Sequence, residues 1–543
     1  MRDANVMRGS LFQLMLTYFT LYQKKRQRVI LLKNLRAIRN KNIVTLMLLK
    51  YYYISLYNEY QFKGCLKFIT HDYRRKQSMP VPLEKYLKKY FGYSSFRDGQ
   101  KDIIEKILSR QNLLIIMPTG KGKSMCYQLP ALLLPGLTIV ISPLIALMKD
   151  QVDKLKGLGI KADFINSSMS KHEEKEIFNK IERKELKILY IAPERIKSKV
   201  FIESIAHTEI SLFAVDEAHC ISQWGHNFRP DYLKLKDLIS CCHPGSVLAL
   251  TATATEIVRQ DIVKNLNMKK PSVIISGLAR DNFIYEVKNV RSNMEKDEIL
   301  WEYLSSDPGS GIIYTYTQKG VEVLSVKLKS WGLNAEGYHG GLHKDLREKI
   351  QNKFMNNELD IIVATNAFGM GIDKKDIRFV IHYSIPPTVE DYYQETGRAG
   401  RDGKQAYALL LFRHGDIAMR KYFISKMYPP KKVIEKFYTY LLKQSKDILL
   451  INPEETGKIL FGRSGQDKTI EICIKILGKY DCIEELPCGK LKKILIKRNY
   501  IKLLMGYRTI EQLKEKSLQK LDDMIDYGKT KKSKKSFLIN YFL

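Results

Sequence analysis

No CxxC pair occurs among the eight cysteines, which stand at 65, 126, 220, 241, 242, 473, 482 and 488. That spacing suits neither a zinc ribbon nor a thioredoxin-like redox site. A disulfide framework is equally out of place in a chain of 543 residues, long enough to build its own cores. Reduced thiols are the expectation, and with them a cytoplasmic protein, nucleoid-associated if the source is bacterial. Long hydrophobic runs are also missing. Leu11–Tyr22 falls short of the about twenty apolar residues a spanning helix needs, and no small-residue cleavage site comes after it. The run Ile43–Tyr57 is interrupted by Lys50, so no membrane partner is expected. No internal repeat with a period of about 20–50 residues is visible, which argues against a solenoid.

Acidic residues are scarce relative to basic ones: 58 Asp and Glu against 91 Lys and Arg, for a net charge of +33. The excess sits at the ends. Residues 1–78 carry 16 basic and 3 acidic side chains, and residues 414–543 carry 28 and 15. The centre, 79–413, is nearly balanced at 47 and 40. A polyanionic partner that touches the flanks more than the middle fits this distribution. Segment 1–78 has no proline and two glycines, and Met79-Pro-Val-Pro separates it from the rest of the chain. It reads as a basic N-terminal extension, with the working protein starting near Met79.

Between Phe91 and Phe412, short apolar runs alternate with amphipathic stretches. Candidate strands are Leu113–Met117, Thr138–Ser142, Ile188–Ala192, Leu212–Asp216, Val247–Thr251 and Val273–Ser276. A second series is Gly311–Tyr316, Ile361–Thr365, Phe379–Tyr383 and Ala406–Phe412. Runs without polar alternation are the mark of parallel strands covered on both faces. The expected fold is α/β, with two tandem parallel-sheet lobes at 79–277 and 278–413 joined near Gly277–Asn282.

The first run leads into Pro-Thr-Gly-Lys-Gly-Lys-Ser, residues 118–124, and then a helix beginning near Met125. Strand, glycine loop and helix is what a phosphate-binding loop requires. Gly120 and Gly122 let backbone N–H groups point inward, and the helix N-terminus adds partial positive charge. Lys123 would reach the β- and γ-phosphates, and Ser124 would hold Mg²⁺. Leu212–Val215 ends in Asp216 and Glu217. An acid at a strand's end facing a phosphate loop binds Mg²⁺, and its neighbour can orient or deprotonate a water. Arg398 and Arg401 supply guanidinium forks suited to charge developing on a transferring phosphoryl group.

Together these motifs resemble the RecQ family of superfamily 2 DNA helicases, over roughly residues 85–413. FGYSSFRDGQ at 91–100 resembles the family's adenine-recognition motif, which implies Arg97 and Gln100 near the base. MPTGKGKSMCYQLPAL at 117–132 resembles motif I, adding Thr119 to the nucleotide contacts, and ISPLIALMKDQV at 141–152 resembles motif Ia, with Ser142 toward DNA. DEAHCISQWGHNFRPDY at 216–232 joins the catalytic acids to the family's aromatic-rich loop, with Asn227 where an Asp is usual. LTATAT at 250–255 is similar to motif III. IIVATNAFGMGIDKKDIRFVIHYSIP at 361–386 and YYQETGRAGRDG at 392–403 resemble motifs V and VI, implying Asp373 at the nucleotide and Gln394 in catalysis. The resemblance implies RecA-like lobes, ATP-driven translocation on single-stranded DNA, and 3′-to-5′ unwinding of tailed or branched duplexes in recombination and repair. It also implies that Trp224, His226, Phe228 and Arg229 couple DNA to the ATP site, where base stacking is typically worth about 1–3 kcal/mol.

Beyond residue 413 the texture becomes Lys-rich and helical, with Lys431–Lys443 and Asp467–Lys479 as helices. Residues 414–508 are expected to form a small basic, mainly helical, winged-helix-like region. Residues 509–543 resemble the opening of the family's zinc subdomain, but Ser533 falls where its first Cys is expected. No structural zinc is expected, and the cofactors are ATP and Mg²⁺. A truncated or degenerate paralogue that binds DNA without productive unwinding is the alternative; an RNA helicase on the same two-lobe engine is a third reading.

Overall fold

The computed structural model describes residues 82–543, apart from 226–227, 279, 370–371, 373, 445–446, 463–467, 487–490 and 498–499. Two parallel sheets dominate. The first holds β1 (Leu113–Ile116), β2 (Leu137–Ile141), β3 (Ala162–Ile165), β4 (Ile188–Ile191), β5 (Ile210–Val215), β6 (Val247–Thr251) and β7 (Ser272–Ile275), in the order β3-β4-β2-β5-β6-β1-β7. The second holds β8 (Phe283–Val290), β9 (Gly311–Tyr314), β10 (Ala335–Tyr338), β11 (Ile361–Ala364), β12 (Phe379–His382) and β13 (Ala406–Arg413), in the order β10-β11-β9-β12-β13-β8. Both have the RecA-like arrangement expected.

Strand sequences explain the layering. Leu113 and Ile115 of β1 enter one apolar layer, Leu114 and Ile116 the other, and all four are fully buried. In β9, Ile312 and Tyr314 face one layer and Ile313 the opposite one. Such two-sided burial requires helices on both faces, supplied by the crossovers that parallel strands need. Because every strand in a sheet is parallel, the ends of β1, β2, β5 and β6 emerge on one edge. That edge is where ligands of open α/β sheets collect.

Three strands of these sheets were not expected from the sequence: β3, β8 and β10. All three lie at sheet edges, where fewer neighbours cover them, so their sequences carry Asp163, Glu286, Lys288 and Glu336 among the apolar residues.

After β13 come a helix, His414–Met427, and a separate apolar core with its own small sheet. Its order is helix Lys431–Leu442, β14 (Ile448–Ile451), helices Pro453–Phe461 and Thr469–Lys479, then β15 (Ile483–Leu486) and β16 (Lys492–Ile496). These strands pair antiparallel as β14-β16-β15. The region is mainly helical, as expected, with this small sheet among its helices. Ile451, Ile483, Ile494 and Ile496 turn inward and explain why these short runs extend rather than coil.

The expected division lies between 508 and 509. A single helix, Tyr500–Lys529, runs through it and is succeeded by Lys534–Phe542. The first part of this helix packs in that separate core through Leu503, Tyr507 and Ile510. Its latter part, with Leu521, Met524, Ile525 and Tyr527, joins the apolar layer that also holds β13 and the helix Val389–Thr396. Among the described residues no helix is long and apolar enough to cross a membrane.

Candidate nucleotide and nucleic-acid site

The loop after β1 is bent by its glycines, with φ of 83° at Gly120 and 82° at Gly122. Only glycine adopts that conformation readily. Space demands it too: a Cβ on Gly122 would lie 2.5 Å from Gln100 Nε2. Gln100, on the helix Gln100–Leu108, donates to the carbonyls of Gly122 at 3.0 Å and Lys121 at 3.3 Å. Its Oε1 accepts from the Arg97 backbone N–H, and the Arg97 guanidinium donates to the Gly120 carbonyl. The 91–100 motif thus grips the outer side of the phosphate loop. Lys123 Nζ donates to Met117 O at 3.2 Å, and Ser124 stands at the N-cap of the helix Met125–Leu133.

At the end of β5, Asp216 and Glu217 are both buried. Asp216 Oδ1 accepts from the Glu217 N–H at 3.0 Å. Burial, and next the neighbouring Glu217 charge, push the Asp216 carboxyl up to about 6 against the opposing pull of Lys123. Glu217 adopts a left-handed backbone, φ 48°, which carries the chain sharply away from the strand. His219 Nδ1 lies 3.3 Å from Glu217 Oε2 and 2.8 Å from Thr251 Oγ1, tying the acids to the 250–255 segment. Tyr232 OH donates to the Asp216 carbonyl at 3.2 Å, so the far end of the aromatic-rich stretch returns to the catalytic strand.

The second sheet meets this edge. Thr119 Oγ1 donates to Gly397 O at 3.3 Å, and a Cβ on Gly120 would sit 3.1 Å from Arg401 Cγ. Arg398 is buried and donates to Gly369 O. Arg280, in the connection between the sheets, donates to Gly397 O at 3.0 Å and Ala399 O at 3.3 Å. A cavity of about 450 Å³ opens between the lobes. Arg97, Gln100, Thr119, Gly120, Gly122, Lys123, Ser124, Asp216, Glu217, Gln394, Arg398 and Arg401 all line it. Lys375 joins them from the second lobe, while Asp373 lies outside the described residues.

The residues expected at DNA divide differently. Ser142 is buried at the end of β2 and does not line the cavity. Arg229 donates to Pro143 O at 2.9 Å, linking the aromatic-rich loop to the stretch after Ser142. Trp224 is half-buried against the first lobe's core, with its backbone N–H donating to Ser222 Oγ at 3.1 Å. Lys479 Nζ, from the helix Thr469–Lys479, stands 5.8 Å from the Phe228 ring centre. His226 and Asn227 lie outside the described residues.

Several neighbours were not singled out from sequence. Tyr93 lies within the 91–100 motif and lines the cavity. His219, Thr251, Tyr232 and Arg280 act through contacts made only in the fold. The site's chemistry suits Mg²⁺ with a nucleotide: the desolvated Asp216 carboxylate, which resists ionisation, gains most from a cation. Ser124 and Asp216 are the candidate holders. Among the described residues no group of three or more Cys, His, Asp or Glu is placed to hold a metal on its own. Cys473 and Cys482 are buried in the apolar core that includes β14, β15 and β16.

Comparison with known proteins gives this site a lineage. The DEAD/DEAH box helicase model matches residues 97–261, and the helicase conserved C-terminal domain model matches 295–403. The ATP-dependent DNA helicase RecQ of Pasteurella multocida is 45% identical over 361 residues, covering 65% of this chain and 57% of the relative. The probable ATP-dependent DNA helicase RecS of Bacillus subtilis is 43% identical over 344 residues, covering 63% and 69%. The chain belongs to the RecQ family of helicases. It spans 57% of the Pasteurella RecQ and 58% of the Bacillus subtilis RecQ, to which it is 46% identical over 63% of its own length. Among solved structures, the DUF1998 helicase MrfA bound to DNA aligns with TM-score 0.53 at 16% identity, over 80% of this chain and 65% of that one. Saccharomyces cerevisiae Dbp5 bound to RNA and ADP BeF3 aligns with TM-score 0.50 at 19% identity, over 63% and 91%. These likenesses concern the fold alone.

Proposed function

We propose that the chain is an ATP-dependent DNA helicase that couples ATP hydrolysis to 3′-to-5′ movement along single-stranded DNA and to unwinding of tailed or branched duplexes, in recombination or repair. The observation that carries this reading is the convergence of Lys123, Asp216 and Glu217 from one lobe with Gln394, Arg398 and Arg401 from the other on one cavity. Bound Mg²⁺ supplies charge neutralisation at the phosphates. Lys123 gives up Met117 O for the β- and γ-phosphates, and the loop N–H groups cradle the rest. Arg97 and Gln100 hold the base side. Glu217, buried and adjacent to His219, orients and deprotonates the attacking water. Arg398 exchanges Gly369 O for the charge that develops on the transferring group, with Arg401 beside it.

DNA binding at the aromatic-rich loop reaches this chemistry by two short routes. One is Tyr232 to the Asp216 carbonyl; the other is Arg229 to Pro143 at the end of β2. A base stacked on Trp224 or Phe228 would shift both.

The test is steady-state ATP hydrolysis with and without single-stranded DNA, for wild type and Lys123→Ala. Strong stimulation that the substitution abolishes supports the motor. A flat, DNA-independent rate favours a truncated paralogue that clamps DNA through its basic flanks. Strand displacement on a 3′-tailed duplex then separates a translocase from a helicase.

A further inference from the structure

The helix Val389–Thr396, which carries Gln394 and leads into Arg398 and Arg401, is buried on nearly every side. One of its faces looks into the nucleotide cavity through Gln394. Another is covered by the helices Tyr500–Lys529 and Lys534–Phe542. Lys520 Nζ lies 2.7 Å from Glu390 Oε1, both side chains almost fully buried. Tyr541, from the second of these helices, also faces Glu390. Tyr527 OH donates to Tyr392 OH at 3.0 Å, and their rings are 4.9 Å apart. Phe542 packs on Tyr393, again at 4.9 Å, and Tyr393 OH reaches Leu278 O in the connection between the lobes. The approach is close enough that a Cβ on Gly528 would lie 2.4 Å from the Phe412 ring of β13.

The same pair of helices touches the first lobe. Arg259, on the helix Glu256–Asn265, donates to Phe542 O at 2.6 Å. This assembly is therefore a strap that spans both sheets across the back of the helix that leads into the arginines.

The geometry points to Lys520 and Tyr527 as positioning residues for ATP hydrolysis: acting through Glu390 and Tyr392, they hold the helix that aims Arg398 and Arg401 at the cavity. This deepens the proposed motor function and rests on it. The physical reason lies in what surrounds Glu390. A buried carboxylate that loses its ammonium partner must find another, take up a proton or move toward water, and each displaces the helix. Gln394 sits one helical turn beyond Glu390, so a rotation at one shifts the other. Catalysis by arginine forks depends on sub-ångström placement. Nucleotide capture, by contrast, rests on Lys123 and the glycine loop of the other lobe, which the strap does not touch at these residues.

The experiment compares full-length wild type, Lys520→Met, Lys520→Arg and Tyr527→Phe. For each, DNA-stimulated kcat is measured beside the affinity and binding stoichiometry of a fluorescent ATP analogue. Lys520→Met should lower kcat by about tenfold or more, with analogue affinity within about twofold and one analogue still bound per folded chain. Tyr527→Phe removes a single oxygen and should lower kcat by about two- to fivefold with the same split. Lys520→Arg, which keeps the charge, should stay within about threefold of wild type. Unchanged kcat in Lys520→Met, or a fall matched by lost binding stoichiometry, overturns the positioning role. An equal loss in Lys520→Arg does so too. Should Lys520→Met not fold, Tyr527→Phe decides alone, and wild-type kcat there refutes the inference. A wild-type chain that binds the analogue without hydrolysing it refutes the motor reading and this one together; hydrolysis unaffected in the variants refutes this one only.

Discussion

Asp216→Asn should make the nucleotide-free protein more stable while abolishing hydrolysis. Asp216 is fully enclosed, and its carboxyl titrates at about 6 against an ordinary value of 3.8, chiefly because burial penalises the charged form. A carboxyl raised in the folded state favours folding while it is protonated. That contribution is complete below its unfolded value and is lost as pH rises through about 6. Above that range, folding must carry an ionised group away from water. The gap between the two values corresponds to a penalty on the order of 3 kcal/mol at neutral pH. Asparagine removes the charge yet keeps an Oδ1 to accept from the Glu217 N–H, the hydrogen bond that Asp216 makes here. Scanning calorimetry without nucleotide, at pH 7.5, should show the first lobe melting higher by about 5 °C or more. At pH 5, where wild-type Asp216 is largely neutral, the gain should shrink to about half. Equal melting at pH 7.5, or a gain that ignores pH, would refute the argument that burial strains this carboxylate. A stable but inactive variant would show stability yielded for function at one residue.

The same contacts carry further expectations. Gly122→Ala forces a left-handed Cβ into Gln100 and should weaken nucleotide-analogue binding by about tenfold or more while leaving the second lobe's melting unchanged. Gly311→Ala would place its Cβ 2.2 Å from the Phe379 ring, and urea unfolding should report a loss of about 1–3 kcal/mol. Phe228→Ala should reduce DNA stimulation of hydrolysis by about tenfold and leave the DNA-independent rate in place; undiminished stimulation would remove the loop from the coupling route.

What the sequence made legible was chemistry that dictates its own residue types. A triphosphate needs glycines, Lys123 and Ser124 after a strand, and it needs Asp216 and Glu217 where another strand ends. Those requirements can be read locally, and the cavity gathers the residues accordingly. The central strands were legible for a similar reason, since two-sided burial leaves an unbroken apolar run. Three of the four edge strands of these sheets escaped because they answer to fewer neighbours: Asp163 in β3 pairs with Lys156 and Lys180, and Glu336 in β10 pairs with Lys353. Charge there satisfies the fold but hides the strand.

The strap was illegible for a deeper reason. Lys520, Tyr527 and Phe542 look like ordinary residues of basic, amphipathic helices. Their meaning comes from Glu390, Tyr392 and Tyr393, more than a hundred residues earlier in the chain. The sequence resemblance pointed instead to a zinc subdomain lacking its first cysteine. A metal is one way to fix a helical pair against the second lobe; a buried ion pair, a tyrosine pair and close aromatic packing are another. Those three contacts bear on the one helix whose placement hydrolysis requires. These contacts support the arginines through protein groups alone, and hydrolysis is expected to depend on them.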